Sequence, residues 1–152
     1  MSDTPAVYGQ FGQALGLTER TLSAILREHL AQRNTVPGAW YTLRLLATGG
    51  PAYPQADLAQ MLRCPGFDAD AVHALLKHLE ADGLIRGDAE LDLTTAGEAQ
   101  YESLREYISG ASVQLLSQFD VHDIETTVRT LQAITKRAAE ESSAATGQSS
   151  SR

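Results

Sequence analysis

Apolar residues recur every three or four positions along most of the chain, which predicts a mainly helical fold. A short helix is predicted over Val7–Leu15, with Gly16 as its stop. Thr18 is then predicted to cap a second helix that runs to about residues 32–34. Proline suits the first turn of a helix, so a third helix is expected over Pro37–Gly49.

The middle of the chain has the pattern of a winged helix-turn-helix module, from about Gln55 to Thr94. A short helix over Gln55–Leu62 precedes a second helix, which Gly83 is predicted to end in a left-handed conformation. The apolar residues of the second helix follow the i, i+3, i+4, i+7 rule: Val72, Leu75, Leu76 and Leu79. Two short strands, over 84–86 and 91–93, are predicted to form a β-hairpin wing with a four-residue tip.

Long helices are predicted after the wing. The segment Thr95-Ala96-Gly97-Glu98 matches a capping box that opens the first of them. Asp120 is predicted to cap the second, which runs from Val121 to about Glu141. The Ser/Ala/Gly/Gln-rich residues 142–152 are expected to be a disordered tail. The chain is thus interpreted as one mainly α domain over 1–152, with N-terminal helices over 7–50, the winged module over 51–94 and C-terminal helices over 95–141.

The apolar faces of the terminal helices are longer than a small helix-turn-helix core can cover. A long amphipathic helix has to bury its apolar stripe against a neighbour. A symmetric partner is the simplest neighbour, so a homodimer built from the N- and C-terminal helices is expected. The alternative is a monomeric bundle in which these helices pack only on each other.

Composition excludes several classes of protein. The sequence contains no apolar run of about 18 residues, so no membrane-spanning helix is expected. The N-terminus lacks the basic and apolar segments of a signal peptide, and a cytoplasmic location is therefore predicted. Cys64 is the single cysteine, so no intrachain disulfide can form. No metal-ligand cluster, phosphate-binding loop or catalytic dyad is recognisable, and we predict neither an enzyme nor a cofactor.

With these elements in this order, the chain resembles the MarR family of bacterial transcription regulators over about Leu22 to Glu140. The matching stretches are Gln55–Leu62, Val72–Ile85 and Leu93–Gly97, the last corresponding to the family's leucine-threonine-x-x-glycine. The resemblance implies a triangular homodimer that binds pseudo-palindromic double-stranded DNA. It also implies that DNA is often released when a small aromatic acid binds or when a cysteine is oxidised.

The second helix of a helix-turn-helix enters the major groove with its outward residues toward the base edges. The candidate DNA contacts are the outward residues of this helix and one wing residue: Asp70, Ala71, His73, Ala74, Lys77, His78 and Arg86. Lys77 and His73 are the expected groove contacts, and Arg86 the expected backbone contact. An aspartate at this helix start either accepts a hydrogen bond from cytosine N4 or simply caps the helix, as Asp68 also can.

The sequence has few basic residues in the wing and in the rest of the module, where members of the family carry more of them. The family wing carries an Asp-x-Arg-x-x-Arg pattern, whereas no basic residue lies between Arg86 and Leu93. The turn at Arg63-Cys64-Pro65 is about three residues longer than usual. Gln55–Thr94 holds three Lys or Arg residues against eight Asp or Glu residues, a formal charge of −5 within a chain of −7. Because phosphate contacts supply most non-specific DNA affinity, the alternative function is a winged-helix protein-interaction module with lost or weakened DNA binding.

A ligand pocket is expected between the dimer helices and the winged module. Its candidate lining residues are His29, Arg33, Trp40, Tyr41, Arg44 and Tyr101. Arginines with aromatic neighbours suit an aromatic carboxylate. The alternative is that Trp40 belongs to the core and that both arginines are solvated. Cys64, beside Arg63, is either a redox sensor or incidental.

Overall fold

The helices and strands follow the predicted order, with one strand that the hydrophobic pattern did not indicate. The structure is a computed structural model that describes residues 4–63 and 67–148. These residues form helices α1 (Thr4–Ala31), α2 (Pro37–Thr48), α3 (Gln55–Leu62), α4 (Ala69–Ala81), α5 (Thr95–Leu116) and α6 (Val121–Gln148), and strands β1 (Tyr53–Pro54), β2 (Ile85–Gly87) and β3 (Glu90–Leu93). The chain forms two compact units that divide within α5, after Ile108.

The N-terminal region is one helix, not two. Helix α1 is continuous over Thr4–Ala31, so the predicted stop at Gly16 and the predicted cap at Thr18 are both wrong. A glycine in a helix interior destabilises it by only about 1 kcal/mol relative to alanine. The Ala, Leu, Glu, Gln and Arg residues on both sides propagate the helix through that position, and no proline follows until Pro37. Pro37 itself opens α2, as predicted.

Helix α4 begins and ends as its sequence predicts. The Asp68 carboxylate accepts a hydrogen bond from the Ala71 N–H at 3.0 Å, which makes Asp68 the N-cap. Gly83 follows the helix with a φ of +73°, the left-handed conformation that glycine adopts without steric penalty. These two ends fix which residues of α4 face inward.

The wing is a three-stranded antiparallel sheet with the order β1-β3-β2. Strand β1 was missed because it has only two residues and one of them is Pro54, which lacks an N–H. The hairpin tip is shorter than predicted, since β2 extends to Gly87 and β3 starts at Glu90. A Cβ on Gly87, whose φ is +109°, would lie 1.9 Å from the Glu90 carbonyl oxygen, so this tight tip requires glycine.

A single hydrophobic core joins α4 to its neighbours within the first unit. Leu30 of α1, Leu58 of α3 and Leu104 of α5 are almost completely buried. The remaining core residues come from α2, α3, α4 and the wing: Ala39, Trp40, Leu43, Leu46, Leu62, Val72, Leu75, Leu76, Leu79, Ile85 and Leu91. The core therefore packs α4 and the wing against each other.

The residue that caps helix α5 lies one position before the predicted capping box. The Thr94 hydroxyl accepts from the Gly97 N–H at 3.0 Å and donates to the Gly83 carbonyl, so Thr94 takes the capping role predicted for Thr95. A Cβ on Gly97 would lie 1.9 Å from the Leu84 carbonyl oxygen. The glycine is thus needed where the start of α5 passes against the wing.

The second unit contains the end of α5 and helix α6. Asp120 accepts from the His122 N–H at 2.8 Å, which confirms it as a cap. Helix α6 continues to Gln148, so the predicted helix end near Glu141 is wrong and residues 142–148 are helical. Residues 149–152 of the predicted tail lie outside the described residues. No helix in the described part of the chain is both long enough and apolar enough to cross a membrane.

Candidate nucleic-acid interface

The outward face of α4 is a continuous exposed stripe. Asp70, His73, Ala74 and Lys77 follow helical spacing and are all exposed, while the opposite face is buried in the core. Of the other predicted contacts on this helix, Ala71 is half-buried and His78 is exposed. The His78 Nε2 lies 3.3 Å from a carboxylate oxygen of Asp82, an exposed pair one helical turn apart. The structure therefore exposes every predicted α4 residue except Ala71, which is half-buried.

A cleft separates α4 from the wing. His73, Lys77 and Glu80 line it from α4, and Asp88 lines it from the wing tip. Gln55, Leu76, Ile85, Gly87 and Leu91 complete its lining. The wing thus places the Asp88 carboxylate in the same cleft as His73 and Lys77, the two residues expected to contact the major groove of DNA. The charged side chains of the cleft are two carboxylates, Glu80 and Asp88, and one ammonium group, Lys77.

A second groove runs between α3 and α4 and contains a basic residue outside the predicted set. Arg63, at the C-terminal end of α3, lines this groove together with His73 and Gln60. Arg63 is exposed. Sequence reasoning assigned it to the following turn and gave it no role in contacting DNA, although the end of the first helix borders the second helix in any helix-turn-helix. The predicted turn residues Cys64, Pro65 and Gly66 lie outside the described residues.

Arg86 is held at the stem of the wing. It is exposed on β2 and lies opposite Asp92 of β3 in the strand register. The Asp92 carboxylate accepts a hydrogen bond from the Ala52 N–H at 2.7 Å. Ala52 has a φ of +56°, an unfavourable conformation for a residue with a Cβ, and this bond helps to hold it. The wing is therefore joined to the loop after α2 through a side chain that the sequence did not single out.

The predicted ligand residues separate into three groups. Trp40 is buried, and its ring stacks on Tyr101 with centroids 5.7 Å apart and planes 17° apart. The Arg44 guanidinium lies 5.2 Å from the Tyr41 ring centroid, and Arg44 is exposed. Trp40 is thus a core residue.

His29 and Arg33 meet at a residue that sequence reasoning missed. The Arg33 guanidinium lies 4.1 Å from the ring centroid of Tyr107, and the His29 ring meets the same ring edge-on at 5.8 Å. The Tyr107 hydroxyl donates to Gln32 Oε1 at 2.6 Å. Tyr107 lies three residues after Leu104, on the inward stripe of α5, and that spacing was the available signal. The cluster fastens the end of α1 to α5.

A perturbed ion pair lies elsewhere on α5. A hydrogen bond from the Arg105 guanidinium lowers the pKa of the Glu102 carboxyl below its usual value, and the same contact raises the pKa of Arg105. Both side chains are exposed and belong to neither the α4 face nor the wing. This pair is best explained as a solvated contact within the helix.

Solved structures of similar fold identify the architecture. The chain superposes on Rv2887, a MarR family protein of Mycobacterium tuberculosis in complex with DNA, with a TM-score of 0.63 and 21% identity over 79% of this chain and 96% of that one. It superposes on ligand-free NadR with a TM-score of 0.71 and 22% identity over 86% and 98%. The chain has a MarR-like winged-helix fold.

Another solved structure of this fold is MepR, a transcription regulator of the Staphylococcus aureus multidrug efflux pump MepA. It gives a TM-score of 0.63 and 22% identity over 84% of this chain and 98% of MepR. Rv2887 has also been crystallised with p-aminosalicylic acid. No protein-family profile and no curated protein matches the chain. At these sequence identities, the similarity to the MarR-family structures concerns the fold alone. Evidence on function comes from the residues of this chain.

Replacing Trp40 tests its assignment to the core. We expect Trp40→Ala to lower the free energy of unfolding by about 3–5 kcal/mol, because it removes a buried ring and leaves a cavity. Trp40→Phe should lose less, since a ring remains to stack on Tyr101. Urea unfolding followed by circular dichroism measures both, with Arg44→Ala as a near-neutral control on the same helix. An unchanged stability in Trp40→Ala would instead mean that Trp40 lines an open pocket.

Proposed function

We propose that the chain is a homodimeric DNA-binding transcription regulator. The observation that carries this proposal is the exposed stripe of α4, with His73 and Lys77 beside a wing that presents Arg86. In the helix-turn-helix class this face of the second helix enters the major groove. Rv2887, which shares the fold, has been crystallised in complex with DNA.

The electrostatics of the module predict an unusual DNA binder. Arg63, Lys77 and Arg86 are its only permanently charged basic residues, and all three are exposed. Each phosphate contact by such a cation contributes a slope of about −0.9 to the dependence of log affinity on log salt concentration. The modules of two subunits therefore supply at most six such contacts.

The homodimer is supported by apolar residues that the single chain leaves exposed. On α1 these are Val7, Tyr8, Phe11, Leu15, Leu17, Leu22 and Ile25. In the second unit they are Val113, Leu115, Leu116, Phe119, Val121, Val128 and Ile134. Burying one large apolar side chain contributes about 1.5–3 kcal/mol, and contiguous exposed apolar patches commonly mark interaction sites. A second copy of the chain is the partner that we propose for both surfaces.

A charge placed on the apolar face of α1 should separate the subunits. We expect Phe11→Glu to weaken dimerisation at least tenfold, because the carboxylate would have to be desolvated in the interface. Analytical ultracentrifugation over a range of protein concentrations measures the dissociation constant. Gln13→Glu, on another face of the same helix, is the matched control and should leave it unchanged. Equal dimerisation in wild type and Phe11→Glu would remove α1 from the proposed interface.

The DNA-binding part is tested by salt titrations on an operator obtained by selection from randomised DNA. Arg86→Gln should weaken binding and make the slope of log affinity against log salt shallower by about 1.8 per dimer, since two phosphate contacts are lost. Lys77→Gln, which removes the expected groove contact, should weaken binding to the selected operator. Lys136→Gln, an exposed residue of α6, is the control and should change neither quantity. Should selection at low salt give no preferred sequence, the proposal fails, and the acidic module favours the protein-interaction alternative.

A response to a small aromatic carboxylate is a further part of the proposal. It is supported by the exposed Arg44 beside Tyr41 and by Arg33 beside Tyr107, since an arginine next to an aromatic ring suits a ligand of this kind. Rv2887 has been crystallised with such an acid. Repeating the DNA titrations with benzoate tests this part. Benzoate is expected to weaken DNA binding by the wild type, and Arg33→Gln or Arg44→Gln should abolish this effect of benzoate. Unchanged DNA binding at millimolar benzoate would exclude a response to this class of ligand.

A further inference from the structure

We propose that Asp70 reads a cytosine base, by accepting a hydrogen bond from its N4 amino group in the major groove. This inference rests on the proposed DNA-binding function and names one base of the preferred site. It starts from two aspartates at the beginning of α4, to which the sequence alone assigns equivalent capping roles. The structure separates their roles.

Asp68 performs the capping. Its backbone is extended, with φ −82° and ψ −176°, and its carboxylate accepts from the Ala71 N–H. Asp70 lies within the first turn of the helix and is exposed. Among the described residues, the Asp70 carboxylate has no hydrogen bond or ion pair. The capping of α4 therefore does not require Asp70.

The position of Asp70 on the helix is the one that meets base edges. In helix-turn-helix complexes the N-terminal residues of the second helix contact the bases. Asp70 shares the outward stripe with Ala74 and Lys77, and the small side chain of Ala74 leaves the approach to the groove open. Lys77 lies seven residues further along, about 10 Å at 1.5 Å per residue. The stripe thus has an acceptor at its start and a donor about two turns later.

The chemistry of the major groove selects cytosine for this acceptor. A carboxylate near a phosphate is repelled, so Asp70 stabilises a complex only if it meets a donor. Cytosine presents its N4 amino group in the major groove, whereas adenine places the N7 acceptor beside its N6 donor, and guanine and thymine present acceptors. A carboxylate, which only accepts, therefore prefers cytosine.

A competing explanation needs no DNA. A carboxylate in the first turn of a helix interacts favourably with the helix dipole, so Asp70 would stabilise α4 alone. The two explanations differ in what they predict for base preference. Changing Asp70 alters the preferred base if it reads DNA, and leaves the preferred base unchanged if it acts only on the helix.

The experiment is selection from randomised duplex DNA with the full chain as wild type and as Asp70→Asn. We expect the wild type to select a C·G pair at one fixed position of each half-site. Asparagine hydrogen-bonds to both N6 and N7 of adenine, so Asp70→Asn should replace cytosine by adenine there, with a preference of about tenfold or more. Asp70→Glu keeps the carboxylate and should retain cytosine at lower affinity.

Asp88→Asn is the matched control, because it removes one negative charge from the wing side of the cleft. It should raise the affinity for all sequences and leave the selected bases unchanged. If Asp70→Asn selects the same bases as the wild type, the inference is overturned while the proposed function stands. If neither protein selects any sequence, both are overturned. Circular dichroism spectra of all variants check that they remain folded.

Discussion

The burial of one side of α4 is the constraint on which the rest of the structure depends. Val72, Leu75, Leu76 and Leu79 are held in the core by side chains from α2, α3 and the wing. Once that stripe is buried, the helix cannot rotate about its axis, because any rotation would expose leucines and bury charged residues. The outward stripe is therefore fixed as firmly as the core itself. Its side chains are presented in a defined order on a rigid support.

The same rigid support carries an acidic surface, which shifts the balance between affinity and selectivity. A strongly basic module gains most of its affinity from phosphates, whatever the sequence. With few cations, this module has less of that general attraction, and in the proposed complex with DNA base contacts would make up a larger share of the total binding free energy. In that proposed complex, a shallow salt slope and a strong dependence on individual base pairs would have the same electrostatic cause.

The periodic parts of the fold could be predicted from the sequence, and the local exceptions could not. The stripe of α4, the Asp68 cap and the left-handed Gly83 follow from rules that act over a few residues. Gly16 misled the prediction because its intrinsic helix propensity is outweighed by the residues around it. Strand β1 was missed because its pairing with β3 involves residues more than thirty positions apart, and such a pairing leaves no periodic signal in two residues.

The candidate site shows the same limit of local rules. Exposure of the α4 residues follows directly from helical periodicity, so those positions were predictable. The cluster at Tyr107 forms where α1 contacts α5. Its members come from two segments that are far apart in sequence, so no local pattern could predict it. Asp68 and Asp70 could not be told apart from sequence because both carboxylates can reach a free amide at a helix start. Only the geometry of the cap distinguishes them.

The hydrogen bond between Asp92 and the Ala52 N–H has a mechanical consequence. Ala52 follows α2 by a few residues and directly precedes β1, which itself pairs with β3. The loop after α2 is thus fastened to the wing by a side chain as well as by the sheet. The position of the wing is therefore set by the residues that follow α2 as well as by the hydrophobic core.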